Sequence, residues 1–256
     1  EYVRAWARVT DGVSLSSTSV CTISEKSERV ANVPFFDMTW SMMRTVLDEP
    51  EFKGKKLLGL ASIKGHMNAY MRGYNCLEDC TRTLRSYFEL ALKFDPDYIQ
   101  IPEWDEFNES TFVMPSLYSA YTCRRIIRYY SAQFKRRTLT PIAGDDLTKP
   151  NLIISYRKCL SPGERLTIEV VSVPDGARQG PLEVAVELTD EHGQTLAQLD
   201  PKTLDEAKIG EARWELDSAA LAVKARAPRV RLTWTKEGQS VTVGDGLHPI
   251  DLAPAN

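Results

Sequence analysis

Four acidic side chains crowd one short stretch of this chain between Pro102 and Ser110: Glu103, Asp105, Glu106 and Glu109. Two aromatic side chains, Trp104 and Phe107, are interleaved with them. Cleavage of a glycosidic bond uses one carboxylic acid to protonate the leaving oxygen and a second carboxylate as base or nucleophile. Aromatic rings supply flat faces against which a sugar ring can pack. These residue types and their spacing are therefore typical of a site that binds and cleaves sugars.

A solvated surface loop is the ordinary alternative for such a cluster, because Glu-x-x-Glu spacing also arises by chance. Two features favour a functional site. Carboxylates that lie close together repel one another, which is costly unless a ligand or a shared proton offsets it. The cluster also follows an apolar strand predicted over Tyr98 to Pro102 and precedes a helix predicted from Ser116 to about Arg137. The ends of buried parallel strands are where α/β barrels hold their catalytic residues.

Residues 1–140 alternate short apolar runs with amphipathic helical stretches. We predict strands over Tyr2 to Val9, Val33 to Met38, Lys56 to Ile63 and Tyr98 to Pro102. Apolar residues at three- and four-residue spacing predict helices over Trp40 to Leu47, over Glu78 to Phe94 and in the segment that begins at Ser116. Strands that alternate with helices in this way are typical of a parallel sheet covered by helices.

Three or four such βα units amount to about half of a (β/α)8 barrel, which usually takes around 250 residues. We therefore predict an α/β fold for residues 1–140, as the C-terminal half of a catalytic TIM-type (β/α)8 barrel. Half a barrel would leave two open sheet edges. The prediction thus includes a missing N-terminal barrel half, in the same or a separate chain. A smaller open α/β sheet is the alternative.

The pattern changes after Thr140. Residues 141–150 are rich in turn-forming residues and are predicted to be a linker. Beyond them, short strands with alternating apolar and polar side chains are separated by glycine-containing turns, which indicates antiparallel sheets with one solvated face. We predict an all-β antiparallel sandwich over residues 151–256.

Composition excludes several classes of function. The chain has 256 residues, 43% apolar and 26% charged, with a net charge of −3, which gives no reason to expect nucleic-acid binding. It has no run of about 18 apolar residues, so no membrane span is predicted. Cys76 and Cys80 lack a second pair of ligands, so we expect no metal site there and no cofactor. The five cysteines allow one disulfide or buried free thiols.

The run from Trp104 to Thr111, with Pro115 behind it, resembles the W-N-E-W-x-E-G-T…P signature of family 99 glycoside hydrolases. A related segment, Trp-Asn-(Asp/Glu)-Phe-x-Glu, occurs in family 71 α-1,3-glucanases. Family 99 comprises endo-acting α-mannosidases and α-mannanases on a (β/α)8 barrel. The resemblance implies a glycosidase that acts on an α-linked oligosaccharide or polysaccharide of mannan or glucan type. It also implies a secreted or periplasmic location, where such polysaccharides are degraded.

By the same resemblance, Glu106 and Glu109 correspond to the two catalytic carboxylates. The first would act as a base toward the sugar's own 2-hydroxyl, and the second would protonate the leaving oxygen. Two carboxylates this close would also raise the pKa of one of them enough to hold a proton near neutrality. The chain departs from the signature at Asp105 (Asn in the family), Phe107 (Trp) and Ser110 (Gly). These changes affect which sugar and which glycosidic linkage the site would accept.

Further side chains are predicted to bind substrate. Inside the run they are Trp104, Asp105, Phe107 and Asn108. At the ends of the other predicted strands they are Asp37 and Trp40, and His66 and Tyr70 in the long loop after the third strand. For Asp37 and Trp40, a helix cap and a core residue are equally good interpretations.

Three functions remain open from the sequence. The first is a glycosidase with a Glu-x-x-Glu carboxylate pair. The second is a non-catalytic carbohydrate-binding protein on the same barrel. The third is a structural module whose acidic loop binds Ca²⁺, because carboxylate-rich loops bind that ion readily. The interleaved aromatic rings argue against the third.

Overall fold

The computed structural model of the protein describes residues 1–14, 21–23, 29–31, 33–60, 67–68, 74–75, 79–101, 104–107, 112–117, 119–244 and 247–252. These residues form two compact units, Glu1–Arg136 and Arg137–Asn256. Each unit has a hydrophobic core of its own. The predicted linker, residues 141–150, lies within the second unit. Among the described residues, no helix is both long and apolar enough to cross a membrane.

The first unit alternates helices and strands. In chain order they are α1 (Tyr2–Val9), β1 (Gly12–Ser14), β2 (Cys21–Ile23), β3 (Arg29–Ala31), α2 (Val33–Leu47), a 3₁₀ turn (Pro50–Phe52), β4 (Lys56–Leu60), β5 (Met67–Asn68), β6 (Tyr74–Asn75), α3 (Arg82–Phe94), β7 (Tyr98–Gln100) and α4 (Thr122–Phe134).

Three of these strands form a parallel sheet in chain order, β1–β4–β7. Because they are parallel, all three end at the same edge, at Ser14, Leu60 and Gln100. The connections that leave β1 and β4 there each contain a small antiparallel ribbon, β2–β3 and β5–β6. The predicted parallel pairing is confirmed for β4 and β7, whereas β1 was not predicted as a strand. Within the described residues the sheet is open, and no closed barrel is present.

Asp97 fixes how β7 pairs with β4. Its carboxylate accepts hydrogen bonds from the Lys56 ammonium group at 2.8 Å and from the Leu57 N–H at 2.9 Å. Its own N–H donates to the Leu57 carbonyl at 2.9 Å. These bonds hold the start of β7 against β4, so they set where the chain after β7 leaves the sheet.

The core of the first unit lies between the sheet and its helices. Phe36 of α2 meets Tyr87 of α3 edge to face, with ring centroids 4.9 Å apart, and Leu57 of β4 is fully buried in the same cluster. Helix α4 packs on α3, where the rings of Phe88 and Tyr130 stack at 5.0 Å. Burial raises the pKa of Tyr130, whose hydroxyl donates to Glu89 at 3.0 Å.

Two predicted strands are wrong, because both segments are helical. Residues Tyr2–Val9 form α1, since alanine and arginine favour a helix and the alternating pattern also places Val3 and Ala7 one turn apart. The segment from Val33 to Met38 is the beginning of α2. Proline is tolerated in the first helical turn, as at Pro34.

Acid titration of Glu49 should reveal the contact that ties α1 to the 3₁₀ turn. Arg4 donates to the Glu49 carboxylate at 2.6 Å, and this hydrogen bond holds the pKa of Glu49 below its ordinary value of 4.5. A lowered pKa contributes stability that is present above about pH 4.5 and is lost as pH falls through the folded pKa. We expect Glu49→Gln to lower the melting temperature at pH 7, with a difference from wild type that disappears in acid. The neighbouring Asp48→Asn is the control, and an equal effect of both variants would contradict this account.

The second unit is built from two antiparallel sheets. Its elements are β8 (Leu152–Tyr156), β9 (Arg165–Ser172), β10 (Pro181–Thr189), β11 (Thr195–Gln198), β12 (Lys202–Asp205), β13 (Gly210–Asp217), α5 (Ser218–Ala222), β14 (Arg229–Lys236) and β15 (Gln239–Val243). One sheet has the order β13–β9–β8, and the other has β11–β10–β14–β15 with β12 also paired to β10. Alternate side chains of both sheets form one core, from Leu166 and Ile168 on β9 to Val184 and Leu232 on β10 and β14. The predicted antiparallel strands are confirmed; β11, β12 and α5 were not predicted.

Arg178 attaches the predicted linker to the second unit. Its guanidinium donates to the Lys149 carbonyl at 2.5 Å and to the Asp146 carbonyl at 2.7 Å, and it also pairs with Asp175. Gly176 lies so close to the same segment that a Cβ there would stand 2.1 Å from the Leu139 carbonyl oxygen. Residues 139–149 are therefore fixed on the second unit.

Removing the Arg178 side chain should loosen this segment and destabilise the second unit. The Arg178 and Asp175 side chains are only 7% and 6% exposed, so Arg178→Ala leaves Asp175 as a buried charge without a counter-ion. Loss of one partner of such a pair costs about 3–5 kcal/mol. We expect a lower denaturation midpoint and faster proteolytic cleavage within residues 141–150. Arg229→Ala, at an exposed position on β14, is the control, and no difference between the two variants would contradict the prediction.

Candidate functional site

The connection that leaves β7 closes into a loop. Strand β7 ends at Gln100, and the carbonyl oxygen of Trp104 then accepts hydrogen bonds from the N–H groups of Val113 at 3.2 Å and Met114 at 2.9 Å. We call residues 104–114 the acidic loop. Val113 is buried and anchors the returning end. These two bonds bring both ends of the acidic loop together at the edge where the parallel strands end.

The aromatic side chains of the acidic loop face solvent. Trp104 is 55% exposed and Phe107 is 49% exposed. The Phe107 ring packs on Phe112 with centroids 4.4 Å apart and an angle of 35° between the rings. Each ring therefore keeps apolar surface open to solvent. Exposed aromatic rings of this kind offer flat faces against which a sugar ring can pack.

The structure describes two of the acidic side chains that the sequence places here. Asp105 is exposed and Glu106 is half-buried. The Asp105 carbonyl accepts a hydrogen bond from the Phe107 N–H at 2.8 Å, which makes a tight turn around Glu106. In the sequence, this carboxylate lies between the two residues whose rings are exposed. Glu109 and Asn108, as well as Glu103, lie outside the described residues.

His66 and Tyr70 also lie outside the described residues. Both belong to the connection that leaves β4, the strand hydrogen-bonded to β7 with Leu60 opposite Gln100. Two neighbouring connections thus begin side by side at the same sheet edge. Their predicted role as substrate-binding residues stays a prediction.

Asp37 and Trp40 lie on helix α2 rather than at a strand end, and this corrects their predicted placement. Trp40 has no exposed surface and packs against Phe94 with ring centroids 5.9 Å apart. Asp37 forms an ion pair with Lys93 at 2.6 Å. Both contacts are with α3. A fully buried ring offers no face to a ligand, so the structure gives Trp40 a packing role.

The chain from the acidic loop to α4 exposes further apolar side chains that sequence reasoning missed. Leu117 is 92% exposed, and Tyr121 faces solvent just before the first residue of α4. The predicted helix start at Ser116 is wrong, because α4 begins at Thr122 and the Ala120 residue before it has a φ of +43°. The sequence signal was present: Ser116 and Ser119 are typical turn residues, and their hydroxyl groups hydrogen-bond at 2.9 Å.

No group of three or more His, Cys, Asp or Glu side chains in the described part of the chain is arranged to bind a metal ion. Cys80, Cys123 and Cys159 are present as thiols.

No protein-family model matches this sequence, and a search of curated proteins finds no match. Solved structures show weak likeness. A β-glucosidase from Listeria innocua in complex with glucose is 18% identical over 38% of this chain and 16% of its own, with a TM-score of 0.26. A calcium-binding mutant of β-glucuronidase 2 from Bacteroides uniformis is 10% identical over 98% of this chain and 26% of its own, with a TM-score of 0.41.

A third solved structure is similar over its whole length to part of this chain. The CARDB domain of a Pyrococcus furiosus protein, in complex with di-metal ions, is 13% identical over 45% of this chain and 100% of its own, with a TM-score of 0.28. Two of the three are glycosidases, and the chain spans about a quarter of their length or less. At these TM-scores the likenesses carry no argument about fold or function.

The closure of the acidic loop predicts slow amide exchange at its returning end. The Val113 and Met114 N–H groups are hydrogen-bonded to Trp104, so hydrogen–deuterium exchange should be slower there than at neighbouring exposed amides. Phe112→Ala removes the ring that supports Phe107 and should accelerate exchange at both amides. Leu117→Ala is the control and should leave both rates unchanged. Fast exchange at Val113 and Met114 in the wild-type protein would contradict the closed loop.

Proposed function

We propose that this chain carries the catalytic loop of a glycoside hydrolase that cleaves α-linked glycans of mannan or glucan type. The observation that supports it most is the acidic loop itself. It is a closed loop at the C-terminal edge of a parallel sheet, and it carries Glu106 together with the exposed rings of Trp104 and Phe107. Carboxylates with aromatic faces at this edge are what sugar cleavage on an α/β scaffold requires.

In this proposal Glu106 and Glu109 divide the chemistry. Glu106 takes the proton of the sugar's 2-hydroxyl, whose oxygen attacks the anomeric carbon as the glycosidic bond breaks. Glu109 gives its proton to the departing oxygen. Glu109 then takes a proton from a water molecule whose oxygen attacks the anomeric carbon. This attack breaks the bond from that carbon to the 2-oxygen, Glu106 returns its proton to the 2-oxygen, and the configuration is retained overall. Trp104 and Phe107 pack against neighbouring sugar rings, and Asp105, Asn108, His66 and Tyr70 supply hydrogen bonds to hydroxyl groups.

The strand order fits a (β/α)8 barrel as the scaffold. In such a barrel each parallel strand pairs with the next one along the chain. The order β1–β4–β7 follows the chain, as it does in such a barrel and in one half of a doubly wound sheet. Eight strands close a barrel. We propose that further strands, from the same polypeptide or a separate chain, pair with the outer edges of β1 and β7. A polysaccharide substrate would place the protein outside the cell or in a periplasm.

A carbohydrate-binding protein without turnover is the second candidate. The specific observation in its favour is the exposure of Trp104 and Phe107, which binding alone would use. Asp105 stands where the family signature has Asn, so it adds a negative charge beside the catalytic pair. Such a charge would suppress cleavage and leave the two rings able to bind sugar. The two candidates differ in one result, the release of sugar.

Substitution of the two glutamates tests the proposal. Soluble α-mannan and α-glucan are incubated with the native protein, purified with any bound partner, and released reducing sugar is measured. We expect Glu106→Gln and Glu109→Gln each to lower the rate about 10²- to 10⁴-fold, as loss of general acid–base catalysis does. Trp104→Ala should instead weaken binding by about 2 kcal/mol, or roughly 30-fold.

Two controls accompany the glutamate variants. Asp105→Asn restores the family's residue and should keep or raise the rate. Glu191→Gln, at an exposed turn of the second unit, should leave it unchanged. Full hydrolysis by both glutamate variants would overturn the proposed function. Glycan binding by the wild-type protein with no release of sugar would establish the second candidate.

A further inference from the structure

The second unit has an open cavity of about 350 Å³ that the proposed function does not use. Its lining comes from the edge strand β13 on one side and the turn between β11 and β12 on the other. Ligand sites in proteins commonly begin near this size. All of the lining residues belong to the sandwich, so the site does not depend on the acidic loop.

Trp214 belongs to the lining of the cavity but is only 7% exposed, because most of its side chain lies in the core of the sandwich. Its indole N–H donates to the Asp200 carbonyl at 2.8 Å, and the Lys202 ammonium group lies 5.4 Å from the centre of its ring. Lys202 also donates to the Arg213 carbonyl at 2.5 Å. These bonds fasten the β11–β12 turn to β13, so the cavity has a fixed shape before any ligand binds.

Polar side chains form the walls. Gln198 and Asp200 are exposed, and neither side chain has a hydrogen-bond partner among the described residues. The Arg213 guanidinium lies 3.5 Å from the buried Glu169 and 3.9 Å from Glu215, which orients it along the strand. The cavity therefore offers an amide, two carboxylates and two cationic groups beside a largely buried indole ring.

The charges of the lining balance. Lys202 and Arg213 are positive, and Asp200 and Glu215 are negative. An anionic ligand would meet two carboxylates, and a cationic ligand would meet two cations, so neither is favoured. Leu199 is the one aliphatic side chain of the lining, which gives little apolar surface for a lipid or another apolar ligand.

We propose that this cavity binds a neutral oligosaccharide. Each sugar hydroxyl both donates and accepts hydrogen bonds, so a ring of hydroxyls matches a wall of mixed donors and acceptors without net charge. Trp214 is only 7% exposed, so the polar walls make the contacts with the sugar, and the Trp214 indole N–H, which is bonded to the Asp200 carbonyl, senses those contacts. The cavity is open along the edge of the sandwich, and this suits the end or side of an extended glycan chain.

Indole N–H resonances of the ¹⁵N-labelled full chain test this proposal. The chain has five tryptophans, and Trp214→Phe identifies the signal of Trp214 by its loss. Titration with an α-linked mannotriose and, separately, an α-linked glucotriose should shift the Trp214 signal in a saturable manner with at least one of them. The double variant Gln198→Ala/Asp200→Ala removes two wall groups and should weaken that binding at least about 10-fold, or 1.4 kcal/mol.

A matched control and a second signal separate this site from the acidic loop. The double variant Gln239→Ala/Glu191→Ala likewise removes one amide and one carboxylate, at exposed positions outside the cavity lining, and should bind as wild type does. The Trp104 signal reports on the acidic loop in the same spectra, so either site can fail without the other.

Three results would overturn the proposal. The first is a Trp214 signal that stays unmoved with both trisaccharides at millimolar concentration. The second is an equal loss of binding in both double variants. The third is a Trp214 shift produced by polygalacturonate, a polyanion, but by neither neutral trisaccharide.

Discussion

The position of the acidic loop depends on how Asp97 joins β7 to β4. One carboxylate accepts from the side chain of Lys56 and from the backbone of Leu57, and the Asp97 N–H completes the connection. A parallel pair has no tight turn to set its register, because its strands are joined by a long crossover. The bonds of Asp97 supply that register. They decide that Leu60 lies opposite Gln100, and so that the two connections carrying the candidate site residues start together.

The helical layer holds the other end of the acidic loop. After Met114 the chain passes through an exposed turn to α4, which is anchored on α3 by the stacked rings of Phe88 and Tyr130. The acidic loop is thus held by the sheet at its start, by the Trp104 carbonyl at its neck and by the buried Val113 at its return. A loop held at these points can keep Glu106 and the exposed rings in one arrangement, which lowers the entropy lost when a ligand binds.

The sequence predicted the elements whose patterns have a single interpretation. Strands such as β10 and β14 alternate cleanly and lie close to their predicted bounds, as does α3 with its apolar stripe. The strand predicted for Tyr2–Val9 is wrong because the alternating pattern of this segment fits a helix and a strand equally. Its alanines and arginines then favour the helix. β11 and β12 are four residues each and half exposed, too short for a pattern. α5 could have been found, since Asp217 caps it by accepting from the Ala219 N–H at 2.8 Å.

The candidate site was predicted from residue types that follow one apolar strand. The structure confirms that strand as β7, and the role of residues 104–107 stays a prediction. The hydrogen bonds that close the acidic loop could not be predicted, because they join backbone atoms and leave no trace in residue type. Asp37 and Trp40 were misplaced as a direct result of the false strand at Val33.

Sugar binding at the acidic loop is best tested by a structure of the protein determined with an α-linked mannose or glucose oligosaccharide. We predict a sugar ring packed on Trp104, with a hydroxyl or glycosidic oxygen within about 2.6–3.2 Å of the Glu106 carboxylate. Sugar bound only in the Trp214 cavity, or no sugar at the acidic loop at saturating concentration, would contradict it.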